Sequence, residues 1–353
     1  MSGSARRVLR QHELTAAREL PAAVVDYYAA GAGDETTAGE ASAAWGRYRL
    51  RPRVLTDVSA VHVATDLLGV RLATPVAVAP TALHGLASPD GECATVTGAG
   101  AAGALTVVST RASRRLEDVG RTATSPWWFQ AYAMRDPDLT DALARRAADA
   151  GATAVVLTAD TPYVGRKERV AGTRLEVPDA DFLVNLGQHL PDRAAARAAA
   201  EQDPAATVAT IGRLAAASGL PVLVKGVLRG DEALRCVAAG AAGVVVSNHG
   251  GRQLDRAVPT ALALPEVVAA VGDRVPVLVD GGLRSGLDVL TALALGARAV
   301  LVGRPVLWAL ASGGAAAVAE VLTALTEDLR HVMALAGVPS LADLDPRLVT
   351  PAD

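Results

Sequence analysis

The chain has 353 residues, about half of them apolar, and a formal net charge of −3. That suits one large globular unit or two small ones, with ample material for a core. Mild acidity with scattered charge argues against nucleic acid as the main partner, and no run of about 18 uncharged apolar residues offers a membrane span.

The opening stretch, Met1 to Arg10, carries several arginines but lacks the continuous apolar segment of a secretory signal. Cys93 and Cys236 are far apart, with neither metal-ligand spacing nor a disulfide framework. They read as buried thiols in a reducing cytoplasm, and no metal site is expected. The cations are almost all arginine; Lys167 and Lys225 are the only lysines.

From Gln11 to about Glu40 the apolar pattern is helical. Leu20-Pro21 opens a second helix, Ala22 to Ala30, which Gly31 and Gly33 end. Asp26-Tyr27-Tyr28 lies near that end; the tyrosine pair stands out among only five, although core packing explains many such pairs. Arg47 to Ala73 reads as extended lead-in segments and a hairpin, so residues 1–73 form an N-terminal preface.

Then a rhythm of short apolar runs begins, separated by Ala-rich amphipathic stretches. The runs are Val76–Ala82, Leu105–Thr110, Trp128–Ala133, Ala154–Asp160, Pro221–Val227, Val244–Gly250, Pro276–Gly282 and Ala299–Pro305. Strand–helix alternation implies a parallel sheet, and eight such units favour a closed (β/α)8 TIM barrel over an open doubly wound sheet. A single barrel domain, 1–353, accounts for the whole chain. Arg166 to Ala206 interrupts the rhythm after the fourth strand, without clear periodicity and with Pro178, Pro191 and Pro204. A segment of this length reads as a mobile lid. Ala315 to Ala336 is a long amphipathic helix, and a short closing segment follows.

A barrel places its chemistry at the C-terminal ends of its strands. Those ends are Pro80-Thr81-Ala82, Ser109-Thr110, Gln130 with Tyr132, and Thr158 with Asp160. The later four strands end at Lys225, at His249 with Arg252, at Asp280-Gly281-Gly282-Leu283-Arg284, and at Gly303-Arg304. The strand bodies are almost pure Val, Leu and Ala, so a polar ring at one mouth is hard to explain by stability alone. The seventh and eighth ends suit a phosphate: glycines expose N–H groups, a helix N-terminus follows, and Arg284 and Arg304 can pair with the anion. Gln130, Thr158 and Ser109 can bond the edge of a heteroaromatic ring. Lys225 can place positive charge beside a ring that becomes anionic on reduction, or it forms a barrel salt bridge.

The sixth unit carries Ser247-Asn248-His249-Gly250-Gly251-Arg252-Gln253-Leu254-Asp255. His249 can accept a proton near neutral pH, Arg252 can clamp a carboxylate, and the two glycines let the backbone turn sharply. A base and an anion clamp three residues apart suit removal of a proton beside a carboxylate.

This nonapeptide, with Leu-Val-Lys-Gly-Val before it and Val-Asp-Gly-Gly-Leu-Arg after, resembles the FMN-dependent α-hydroxy acid oxidase and dehydrogenase family, which includes glycolate, lactate and hydroxymandelate oxidases. The likeness runs from Asp26-Tyr27-Tyr28-Ala29-Ala30-Gly31-Ala32 to Met333-Ala334-Leu335-Ala336-Gly337. It implies that FMN is held with Pro80, Thr81, Ala82 and Ser247 in its environment. Ser109, Gln130 and Thr158 would meet the ring, and Lys225 its N1–O2 edge. Asp280, Gly281, Gly282, Arg284, Gly303 and Arg304 would lie towards the phosphate. It further implies that His249 is the base, Asp160 its partner, Arg252 and Tyr27 the holders of the substrate carboxylate, and Tyr132 the contact to the hydroxyl. The expected reaction is oxidation of an (S)-2-hydroxy acid to the 2-oxo acid. Hydride transfer and Cα-proton removal would use the same residues. Ala82 stands where the family's oxygen-using members have Ala, which leans towards O2 as acceptor. The resemblance also suggests a homotetramer or octamer.

Two positions depart from the familiar pattern. Lys167 replaces an Arg just before Glu168 in the lid, keeping charge but losing bidentate geometry. Arg111 stands where glycolate oxidase carries a bulky aromatic over the substrate side chain. Arg111 either points inward, implying a second anionic or strongly polar group on the substrate, or turns outward into solvent. His84, just after the first strand, reads as a loop histidine without proton-transfer duty. One alternative keeps FMN but takes an amino-acid-like or natural-product intermediate as substrate. Another is a barrel that binds a phosphorylated ligand without redox chemistry, or a barrel isomerase.

Overall fold

The computed structural model describes residues 4–171, 175, 177–186 and 193–352. Eight parallel strands close into a barrel in chain order: β1 Val76–Val78, β2 Thr106–Ser109, β3 Trp127–Tyr132, β4 Val155–Thr158, β5 Val222–Val227, β6 Gly243–Val246, β7 Val277–Asp280 and β8 Ala299–Val302. The runs read from sequence are thus real strands; the fifth ends at Val227 with its run, and the others end one to four residues before theirs.

Alternation explains why valine dominates. Along each strand successive side chains face opposite sides, and here both sides are buried. Val76, Val78, Val108, Phe129, Val155, Val244, Val277 and Val300 face the helical layer. Ala77, Val107, Trp128, Val156, Leu223, Val245, Leu278 and Leu301 fill the interior. The antiparallel hairpin Thr65–Leu67 with Val70–Leu72 inserts Leu67 and Leu72 into that interior, plugging the mouth away from the polar strand ends.

The N-terminal preface contains three helices, Ala5–Glu19, Ala22–Ala29 and Thr36–Trp45. The first begins before Gln11 and the third runs past Glu40, correcting the expected limits. The hairpin expected within Arg47–Ala73 is present, and Tyr48–Leu50 also pairs antiparallel with Val349–Pro351, tying the closing segment to the start of the barrel.

Two further expectations need correction. The eighth run stops at Val302: Gly303 turns, and Arg304 and Pro305 open a helix, Arg304–Leu335. That helix is long and apolar enough to cross a bilayer by length and composition alone. Its backbone breaks at Gly313 and Gly314, however, and Val306, Leu310, Val321, Leu325 and Leu329 lie in the core. The segment Arg166 to Ala206 is not devoid of structure: it has a 3-10 turn at Glu168–Val170 and helices at Asp179–Phe182 and Arg193–Ala199. Its residues 172–174, 176 and 187–192, Pro191 among them, lie outside the described residues, as do 1–3 and 353.

Candidate active site

Strand alternation that fills the barrel interior also builds the site. Two residues beyond an interior apolar side chain, the same side of the strand carries a polar one: Ser109 after Val107, Gln130 after Trp128, Thr158 after Val156, Lys225 after Leu223, Ser247 after Val245 and Asp280 after Leu278. Register sets them side by side: Ser109 pairs with Gln130, Tyr132 with Thr158, and Thr158 with Lys225. All of them but Ser247 line a cavity of about 370 Å³ at the C-terminal mouth.

Gly281, Gly282, Arg284, Gly303 and Arg304 line the cavity. Gly282 has φ +81°, and a Cβ there would fall 2.0 Å from the Ala41 carbonyl oxygen, so only glycine fits. The close approach lets Ser42 Oγ donate to the Gly282 carbonyl (2.8 Å) and Trp45 Nε1 to that of Gly281 (2.8 Å). The preface helix Thr36–Trp45 is thereby clamped onto the site. The Arg284 and Arg304 guanidiniums hydrogen-bond, among the described residues, only to carbonyl oxygens, those of Leu283, Tyr28 and Gly250. Burial, and then the nearby Arg252 and Arg284, lower the pKa of Arg304 to about 10. Such concentrated positive charge matches a phosphate.

Among the strand-end residues, Ser109 Oγ donates to Gln130 Oε1 (3.1 Å), while Gln130 Nε2 is buried with no partner. Lys225 Nζ donates to Ser247 Oγ (2.8 Å) and sits 2.8 Å from Asp280 Oδ2. The two readings of Lys225 are therefore compatible: it forms a barrel salt bridge and also lines the cavity. Asp280 also reaches the cavity, chiefly as the partner of Lys225. An orphaned amide donor, a buried ammonium and a phosphate-matched cluster fit FMN.

The lining also holds His249, Arg252, Tyr27, Tyr132 and Lys167, with Arg304 close by through the Gly250 and Tyr28 carbonyls. His249 has φ +58°, and Gly250 and Gly251 follow at +64° and +74°. Three consecutive left-handed residues form a tight turn, and a non-glycine residue in that region is held there by its surroundings. His249 Nδ1 lies 3.0 Å from Asp160 Oδ1, which leaves Nε2 for a substrate. Burial opposes the charge on Asp160, but the His249 imidazole overrides it and the carboxyl stays below its ordinary pKa. Arg252 Nη1 donates to the carbonyls of Tyr28 and Ala30, and its guanidinium lies 5.6 Å from the Tyr27 ring centre. Burial raises the Tyr132 phenol to about 12 and also raises that of Tyr27, so both stay protonated as hydrogen-bond donors. Lys167 Nζ donates to the Gly165 carbonyl (2.9 Å); burial, then Arg252, lower its pKa to about 8.

Pro80, Thr81 and Ala82 line the cavity as expected, whereas Asp160, Ser247 and Arg111 stand outside its lining. Asp160 and Ser247 act through His249 and Lys225. Arg111 is not the solvated surface residue of the outward alternative: its Nη2 donates to the Ala200 carbonyl (2.5 Å), and its Nη1 is buried. His84 is buried between Thr81 and Thr95, and burial depresses its pKa, in keeping with a structural role. Tyr28 donates to the Leu83 carbonyl and packs edge-on against Trp308, also structural. Sequence reasoning passed over Ser42, whose loop contact is distant in the chain. It also gave no role to Gln253, which donates to the Asp160 and Tyr163 carbonyls. Gln253 was legible in the nonapeptide; Ser42 had no local signal.

The FMN-dependent dehydrogenase family model matches residues 16–351. The chain belongs to that family. FMN is accordingly its cofactor, and the residues described above are those that would hold it. An L-lactate oxidase of Nostoc sp. (strain PCC 7120 / SAG 25.82 / UTEX 2576) is 43% identical over 96% of each chain. Glycolate oxidase 1 of Zea mays is 41% identical, covering 97% of this chain and 95% of its own. The crystal structure of a mandelate oxidase superposes with a TM-score of 0.89 at 42% identity, covering 97% of both chains. Membership of an FMN-dependent dehydrogenase family favours redox chemistry over a barrel isomerase or a non-redox phosphate binder.

Proposed function

We propose that the protein oxidises an (S)-2-hydroxy acid to the corresponding 2-oxo acid through FMN, with O2 as the final acceptor and H2O2 as the second product. The observation that carries this reading is the meeting, in one cavity, of a base, a carboxylate clamp, a phosphate-matched cluster of glycines and arginines, and a ring of polar strand ends. Arg252, Tyr27 and Lys167 bind the substrate carboxylate. Tyr132 donates to the hydroxyl or its developing oxygen charge. His249 Nε2 takes a proton, and Asp160 stabilises the imidazolium that results. Bound FMN supplies the two-electron acceptor. Lys225 contributes positive charge where the ring gains electrons. Ala82 beside the cavity supports O2 as acceptor, by its likeness to the oxygen-using members.

A cytoplasmic location belongs to the same reading; of the two free thiols expected to be buried, Cys236 is buried and Cys93 is only half-buried. A homotetramer or octamer belongs to the same reading, and the exposed Val54 and Leu55 are side chains it would cover.

Anaerobic mixing of the yellow protein with a panel of 2-hydroxy acids tests the proposal. Bleaching of the flavin, followed by H2O2 release when air is admitted, is the expected result. A flavin that stays oxidised with every member of the panel would reject it.

A further inference from the structure

One amide in the cavity lining stands outside the proposed reaction. Three glutamines line the cavity: Gln130, Gln202 and Gln253. Gln130 is bonded to Ser109, and Gln253 donates to the Asp160 and Tyr163 carbonyls. The side-chain amide of Gln202, half-buried, has no hydrogen-bond partner among the described residues.

Backbone contacts fix its place. Residues 199–203 run antiparallel to the stretch that follows β3, with Gln202 opposite Met134. Asp136 N–H donates to the Ala199 carbonyl (3.2 Å), Arg135 N–H to that of Glu201 (2.8 Å), and Asp203 N–H to that of Ala133 (2.9 Å). Gln202 therefore sits against the residue two beyond Tyr132, to which the substrate hydroxyl is assigned. In the closed ring of eight strands β3 lies four places from β7, so Gln202 approaches the cavity from the side opposite Gly281, Gly282 and Arg284. The ladder holds this backbone before a ligand arrives, so binding through the amide orders little that is not already ordered.

An amide donates and accepts and carries no charge. Its best complement is a neutral group that also does both, a hydroxyl or another amide. The substrate carboxylate is already met by Arg252, Tyr27 and Lys167. Resting on the 2-hydroxy acid reading, we propose that Gln202 recognises the substrate side chain, and that the preferred substrates are 2-hydroxy acids whose side chain bears a hydroxyl or a carboxamide. An aliphatic side chain of the same shape displaces the water that serves the amide and returns no hydrogen bond.

The test compares two pairs matched in shape: 2,3-dihydroxypropanoate with 2-hydroxybutanoate, and the 4-amide of 2-hydroxysuccinate with 2-hydroxy-4-methylpentanoate. Flavin reduction by each is followed anaerobically in the FMN-loaded wild type, Gln202→Leu and Gln202→Asn. The wild type is expected to favour the polar member of at least one pair by about threefold to tenfold in kcat/KM, the range of one neutral hydrogen bond. In Gln202→Leu that ratio falls to one or below, and the loss appears in KM, as removal of a binding contact requires. A structural role would instead slow both members of a pair alike and leave the ratio where it was. Gln202→Asn, one methylene shorter, keeps only part of the preference. Wild-type ratios of one or below in both pairs overturn the inference, as does a ratio unchanged in Gln202→Leu. Should Gln202→Leu fail to fold, a ratio unchanged in Gln202→Asn overturns it equally. Bleaching by the aliphatic members alone removes this inference and leaves the oxidase reading standing. A flavin that stays oxidised with all four compounds, and with lactate and glycolate, removes both.

Discussion

His249 Nδ1 lies 3.0 Å from Asp160 Oδ1, and this contact joins the end of β4 to the turn after β6. It fixes the imidazole with Nε2 free and sets an anion beside the charge the ring acquires on taking a proton. The same carboxylate leaves Oδ2 buried and unpartnered, so Asp160 reserves its hydrogen bonding for that one ring.

His249→Asn should therefore retain FMN while slowing flavin reduction by about 10²–10⁴-fold, the usual worth of a general base. Asp160→Asn should slow it by a smaller factor, because the imidazolium loses its counter-charge. Stopped-flow bleaching across pH measures both. Full-speed reduction in His249→Asn would mean that another group takes the proton.

Lys167 carries the next prediction. With its pKa lowered to about 8, its ammonium is present below that pH and lost above it. Rising pH thus removes one cation from the carboxylate site, so kcat/KM for a 2-hydroxy acid should fall above about pH 8. Lys167→Arg keeps its charge through this range and should move the alkaline limb upward. Superimposable profiles for the two proteins would place the limb on another group.

The Lys225–Asp280 pair, 2.8 Å apart and almost fully buried, separates stability from catalysis. Lys225→Met leaves a buried carboxylate without its cation, which costs about 3–5 kcal/mol. The double variant Lys225→Met/Asp280→Leu should recover much of the melting temperature, since two apolar groups replace a desolvated pair. It should not recover flavin reduction, because the charge beside the ring is gone from both. Recovery of reduction alongside stability would make Lys225 purely a structural ion.

Much of this protein is determined locally. Runs of β-branched residues ending in polar ones specify eight strands and their order. The period of two then commits Ser109, Gln130, Thr158, Lys225, Ser247 and Asp280 to the barrel side of those strands. The nonapeptide brings His249 and Arg252 to one turn because two glycines allow it, and such features need no knowledge of distant contacts.

Other features exist only once the chain closes. The clamp of Ser42 and Trp45 on Gly281 and Gly282, the pairing of Tyr48–Leu50 with Val349–Pro351, and the seating of Leu67 and Leu72 in the barrel floor each join segments remote in sequence. The orientation of Arg111 is of the same kind. Its partner is the Ala200 carbonyl, contributed from the far side of the segment after β4. An isolated arginine beside a strand end is compatible with solvent or with burial, and only the surrounding packing removes the water that would otherwise neutralise the choice.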